Sequence, residues 1–175
     1  SDEIEALRDR LERDGIGARR LHTSHAFHSP MMDPAVAEFE RELRQVNLTA
    51  PVIPMISTVT GRRLSDAEAT DPSYWARQIR EPVRFAQAVA TLAATDVPPV
   101  FLEVGPRGAL SALARQQLAR LRPVPPVISS GSDSPQAERD AMLSAMGGLW
   151  AAGAGIEQMA KIHRKGVEAI KAGPG

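Results

Sequence analysis

The sequence predicts an α/β fold. Three observations carry that expectation: apolar residues recur at helical spacing in several segments, short apolar runs bounded by Pro or Gly fall between them, and Asp-Pro pairs stand where helices would begin. "SDEIEALRDRLERDG" places Ile4, Leu7 and Leu11 on one helical face, with Gly15 as its stop, and "IGARRLHT" reads as a short strand. A helix with no lead-in is expected of a chain cut from something longer. Asp33 can cap a helix whose first residue is Pro34, where a missing N–H costs nothing; Val36, Phe39, Leu43 and Val46 then repeat at helical spacing. "APVIPMISTVTG" reads as a buried strand ending in a turn at Gly61, and "DPSYWARQI" opens another helix with the same Asp-Pro signature. Phe85, Val89 and Leu92 share a face of the next helix. "PVFLEVG" reads as a central parallel strand, "GALSALARQQLARL" as a helix and "VPPVISS" as a final short strand. From Ser129 the character changes: "SSGSDSPQAERD" is turn-rich, Met142, Met146, Leu149 and Trp150 form a stripe, "AAGAG" interrupts, and a basic helical tail follows.

Composition excludes several classes of function. Twenty-one basic residues balance 21 acidic ones, so no long-range field gathers nucleic acid. The absence of cysteine removes disulfides, thiolate zinc sites and a cysteine nucleophile. No apolar run reaches the roughly 18 to 20 residues that cross a membrane, and no signal-peptide region opens the chain. A soluble, cytoplasmic domain is the expectation.

Three of the four histidines, His22, His25 and His28, lie at intervals of three in "LHTSHAFHSPMMDP". On a helix that spacing could converge on a cation, but Ser, Thr and a closing Ser-Pro make this stretch a strand running into a loop, with no carboxylate inside the cluster. An ordinary polar loop and part of a catalytic apparatus remain as readings of the same residues. In "EVGPRGAL" a Gly-Pro-x-Gly turn between strand and helix could present helix N–H groups to an anion. Without a full nucleotide-binding pattern, Gly105, Pro106 and Gly108 read as a fold-maintaining turn. Trp75 and Phe85 read as core.

The series "SHAFHSPMMDP", "STVTG", "YWARQIREPVRF" and "FLEVGPRGALSAL", in that order, resembles the second half of the acyltransferase domain of modular polyketide synthases, a sibling of the malonyl-CoA:acyl-carrier-protein transacylases of fatty-acid synthesis. The resemblance covers roughly residues 1 to 128. It implies an α/β-hydrolase-like acyltransferase core and a serine nucleophile served by a histidine base. The fourth position of "HAFH", His28, matches that base, and the chemistry fits, because imidazole can take a serine proton near neutral pH and return it to a leaving thiolate. His25, Ala26 and Phe27 match positions tied to substrate choice, and "HAFH" accompanies malonyl units in the family, whereas "YASH" accompanies methylmalonyl. His22 falls outside the tetrad. A main-chain carbonyl orients the imidazole in this family, and motif alignment places it at Gln78.

No G-x-S-x-G elbow occurs in the sequence, and the arginine that follows it in the family is absent with it. The resemblance therefore implies a C-terminal portion carrying the base without the nucleophile. Residues 1–22 would end a ferredoxin-like small subdomain, 23–128 belong to the acyltransferase core, 129–157 form a post-domain linker, and 158–175 are a tail of unassigned role. The implied partners are malonyl-CoA, an acyl carrier protein bearing phosphopantetheine, and the remainder of the acyltransferase with its neighbouring synthase domains. No metal or other cofactor is implied. A free-standing transacylase of fatty-acid synthesis and a non-catalytic docking or scaffold fragment are the alternatives.

Overall fold

A computed structural model describes residues 2–18, 23–97, 99–132 and 134–154. His22 and the tail expected from residue 158 lie outside the described residues, as does half of the strand expected over 16–23; Ile16–Ala18 run without regular structure. The chain divides into two compact units. One takes the described residues before Pro51 together with Ala67–Pro82, and the other takes Pro51–Asp66 and the described residues from Val83 onward.

In the first unit, α1 spans Asp2–Arg13 and stops where the sequence places its glycine: the Gly15 N–H meets the Glu12 carbonyl at 3.1 Å and the Ile16 N–H meets Leu11 at 2.9 Å. Ile4 and Leu7 of its apolar face remain more than half exposed. Helix α2, Asp33–Leu43, begins one residue earlier than expected, and Asp33 is not its cap. A 3-10 turn at Pro30–Met32 supplies the start instead, and Ser29 caps that turn by accepting the Met31 N–H at 3.3 Å. The aspartate is thereby left to do something else. After a short α3, Asp66–Ala69, comes α4, Pro72–Arg77, which follows the Asp-Pro signature: the Asp71 carboxylate accepts the Ser73 N–H at 2.9 Å, and Pro72 occupies the first position. Helices α2 and α4 pack together. Met32, Tyr74 and Ala76 are buried in this unit, and the Trp75 indole N–H donates to the Ala69 carbonyl at 2.9 Å.

The second unit holds a parallel pair, β1 (Phe101–Glu103) and β2 (Val127–Ser129), with Phe101 opposite Val127. Parallel strands need a crossover, and α6, Ala109–Leu118, provides it. Helix α5, Phe85–Ala93, packs on α6. Their shared core is Val89, Ala114 and Leu118, with Phe85, Phe101 and Val127 against it. Leu118 is 1% exposed, and burying such a side chain contributes about 1.5–3 kcal/mol. Helix α7, Glu138–Ala151, lies against β2 and buries Ala145 and Leu149. Trp150, expected on that stripe, is 66% exposed.

The buried strand expected over 50–61 does not form. Val52 and Ile53 are exposed, and a single antiparallel bridge joins Ile56 to Arg63. Pro51 and Pro54 withhold two backbone donors from any ladder, so the segment serves only as the first arm of a turn. That turn needs Gly61: its φ is +71°, and a β-carbon there would sit 2.5 Å from that of Gln87. Beside β1 lies a hollow of about 560 Å³ lined by Ile56, Phe85, Val89, Phe101, Leu110 and Ala114, among others. Strand alternation turns the Leu102 N–H and C=O to the second edge of β1, where no described strand pairs with it.

Candidate active site

The loop between residues 24 and 29 is braced by its own short-range bonds. The Phe27 N–H reaches the His25 carbonyl at 3.1 Å, the Ser29 hydroxyl donates to the Ala26 carbonyl at 2.6 Å, and the Ala26 N–H meets the Met31 sulfur at 3.4 Å. His25 is exposed, with its Nδ1 3.0 Å from the Ser24 hydroxyl, and the Phe27 ring is 54% exposed. The tetrad thus presents itself on the surface of its unit.

His28 differs from its neighbours in backbone conformation. Its φ is 62°, in the left-handed region, where a residue with a β-carbon pays about 1–2 kcal/mol. Two bonds from one segment hold it there. The His28 N–H donates to the Ile79 carbonyl at 2.9 Å, and His28 Nδ1 lies 2.9 Å from the Glu81 carbonyl oxygen. A carbonyl only accepts, so Nδ1 carries the proton in this arrangement and the Nε2 lone pair is left to take one.

The carbonyl at the imidazole therefore belongs to Glu81, three residues beyond the Gln78 that motif alignment selects. Gln78 closes α4 with right-handed helical dihedrals, φ −60° and ψ −31°, and its N–H bonds back to Trp75 at 3.1 Å. Its carbonyl thus keeps the direction of the helix axis. Glu81 precedes Pro82, and the residue before a proline is pushed out of the helical region, which turns its carbonyl away from that axis. That pairing was the one available sequence signal for residue 81. Asp33, released from capping, meets Arg80 instead, with Arg80 Nε 2.5 Å from Asp33 Oδ1.

The "EVGPRGAL" turn resolves differently from an external anion site. Gly105 has φ 155° and Gly108 has φ 62°, and the N-terminus of α6 receives the Glu103 carboxylate: the Leu110 N–H donates at 3.2 Å and the Ser111 N–H at 2.7 Å. Desolvation pushes this carboxyl up, but the hydrogen bonds from Ser111 and Leu110 outweigh it and hold the group below the ordinary glutamate value. Asp71 is likewise lowered, first by the Ser73 hydroxyl and then by its backbone N–H. Among the described residues, no group of three His, Cys, Asp or Glu side chains could hold a metal ion, and no helix is long and apolar enough to cross a membrane.

An α/β chain that presents a tautomerically fixed histidine invites comparison with transferases, and known proteins supply it. The acyl transferase domain family matches residues 1–149, and this chain belongs to that family. A phenolphthiocerol/phthiocerol polyketide synthase of Mycobacterium tuberculosis is 36% identical over 164 residues, covering 89% of this chain and 10% of the relative. Polyketide synthase GfsA of Streptomyces halstedii is 43% identical over 141 residues, covering 79% of this chain and 2% of the relative. Among solved structures, the acyl transferase domain of SpnD in complex with 2-(pent-4-yn-1-yl)malonyl superposes with a TM-score of 0.77 at 35% identity, over 86% of this chain and 36% of that one. The fold extends to FabD from Acinetobacter baumannii, with a TM-score of 0.62 at 23% identity, over 83% of this chain and 44% of that one. This chain therefore spans a small part of the synthases and about a third of the solved synthase domain. The α/β architecture and the polyketide synthase kinship read from the sequence both stand.

Proposed function

We propose that this chain is the C-terminal part of a polyketide synthase acyltransferase that moves a malonyl-type unit from coenzyme A to the phosphopantetheine thiol of an acyl carrier protein. The observation that carries the reading is the Nδ1–H bond from His28 to the Glu81 carbonyl, which frees Nε2 to act as a general base. In the complete domain, His28 takes the proton of a serine supplied by the rest of the protein as the hydroxyl attacks the thioester. When the tetrahedral intermediate collapses, the proton passes to the departing coenzyme A thiolate. The carrier's thiol then gives its proton to the same imidazole, attacks the acyl-serine and returns the serine to its starting state. Each step is a proton and acyl transfer, so the chemistry calls for no metal or redox cofactor, and the phosphopantetheine arrives on the partner.

His25, Ala26 and Phe27 form part of the extender pocket on this reading, with the Phe27 ring filling space that an α-methyl would need. One methyl in a pocket is worth about 1–3 kcal/mol, roughly 10- to 200-fold in rate ratio. The edge of β1 that no described strand pairs and the hollow beside it suit a further strand of the complete domain.

One assay tests both claims. In a domain containing the nucleophile, His28→Ala is expected to slow acyl-serine formation by about 100-fold or more. The parent, offered malonyl-CoA and methylmalonyl-CoA together, is expected to accumulate mainly the malonyl enzyme by mass. An unimpaired His28→Ala protein overturns the base, and a parent loaded chiefly with the methylated unit overturns the role of Phe27.

A further inference from the structure

We propose that Asp33 and Arg80 are positioning residues that hold His28 in its working orientation, an inference that rests on His28 being the general base. Arg80 stands between the two residues whose carbonyls grip His28: Ile79 takes the backbone N–H and Glu81 takes Nδ1, each at 2.9 Å. From that position its side chain reaches Asp33, five residues beyond His28 and the first residue of α2. These residues close a ring. His28 is tied through the 3-10 turn to Asp33, Asp33 to Arg80, and Arg80 through its own peptide neighbours back to both sides of His28.

A ring of this kind has work to do because the backbone of His28 is strained. A left-handed φ of 62° relaxes toward the right-handed or extended regions if the partner segment drifts, and the imidazole would swing with it. The segment 78–81 has left α4, and Pro82 bars it from extending the helix. The Arg80 and Glu81 N–H groups bond back to the Arg77 carbonyl at 3.0 and 2.9 Å, and the Arg80 side chain adds a tie which that backbone turn lacks, from this segment to the start of α2. The pair is an economical clamp but a poor global support. Its side chains are 32% and 60% exposed, and exposed ion pairs add little to stability. Its loss should therefore appear in the placement of the imidazole rather than in the melting temperature.

The complete acyltransferase domain is the protein to test, with Asp33→Asn, Arg80→Gln, Arg80→Lys and the swap Asp33→Arg with Arg80→Asp. A misplacement of about 1 Å costs up to about 100-fold, so Asp33→Asn and Arg80→Gln are expected to lose about 10-fold in acyl-serine formation with KM for the thioester unchanged. Arg80→Lys and the swap are expected to recover most of that loss. Long-range nitrogen–proton NMR of the His28 ring is expected to report one Nδ1–H tautomer in the parent and a mixture in the two neutralised variants. Rates within two-fold of the parent, with an unchanged ring spectrum, would overturn the proposal, as would a charge swap no better than the singles. If His28→Ala keeps its rate, the base assignment fails by itself, while the ring spectra of the Asp33 and Arg80 variants still decide whether the pair positions the imidazole.

Discussion

A carbonyl group belongs to the backbone, so the residue that lends it to His28 can change its side chain and keep the bond. Glu81→Ala and Gln78→Ala are both expected to stay within about three-fold of the parent in acyl-serine formation, since neither side chain is asked to contact the reacting groups. A severe rate loss in a folded Gln78→Ala protein would bring that amide into the site. The same fact explains what could be read at this scale. "HAFH" holds two histidines, His25 and His28, so proton chemistry alone does not choose between them, and the choice of His28 rests on the family resemblance. Every residue carries a carbonyl, so residue 81 differs from residue 78 only through Pro82. The left-handed backbone of His28 left no mark in the sequence either, because the residues that impose it, Ile79 and Glu81, are distant in the chain.

Helices α4 and α6 both begin at a carboxylate held by backbone N–H groups, Asp71 in one case and Glu103 in the other. Both carboxyls are lowered in the folded chain, so their contribution is present in full above the ordinary carboxylate range and is lost as pH falls through the depressed folded values. For the complete domain, the urea midpoint is expected to fall as pH drops from about 5 to about 3, and Asp71→Asn is expected to flatten that fall. An acid limb unchanged by Asp71→Asn would show that the cap does not titrate with folding. The start of α4 was legible because its chemistry is local, an aspartate and a proline beside the N–H groups of one turn. The same signature at Asp33 was overridden by the 3-10 turn before it, and Glu103 reaches α6 from seven residues away. The stretch 50–61 was not, because apolar residues suit a strand only where a neighbour offers a ladder, and prolines at 51 and 54 spoil two rungs. Trp150 falls one position round the helix from Leu149, which with Ala145 forms the buried face of α7, so the side chain turns out of the contact with β2.

Across the molecule, the alternation of helices and short strands correctly indicated an α/β chain with a parallel pair, since a βαβ unit needs only local patterns and a crossover of sufficient length. How residues 24–32 come to lie against 78–82 depends on α2 packing on α4, which no local pattern states. Folded domains are stable by only about 5–15 kcal/mol, so a residue strained by about 1–2 kcal/mol is a noticeable burden on the whole. His28 is such a residue, and that conformation sets two demands on one position which chemistry alone would not reveal. On the proposed reading catalysis needs an imidazole there, while the backbone would rest more easily on glycine or asparagine. His28→Gly is therefore expected to outlast His28→Ala in denaturant by about 1 kcal/mol, the reverse of their order in a helix, and an alanine variant of equal stability would deny the strain. A lineage of such domains released from catalytic duty would then have a direction in which to drift. Its histidine would give way first to the residues that tolerate a left-handed turn, and the loss of function would be written in the sequence as a gain in ease of folding.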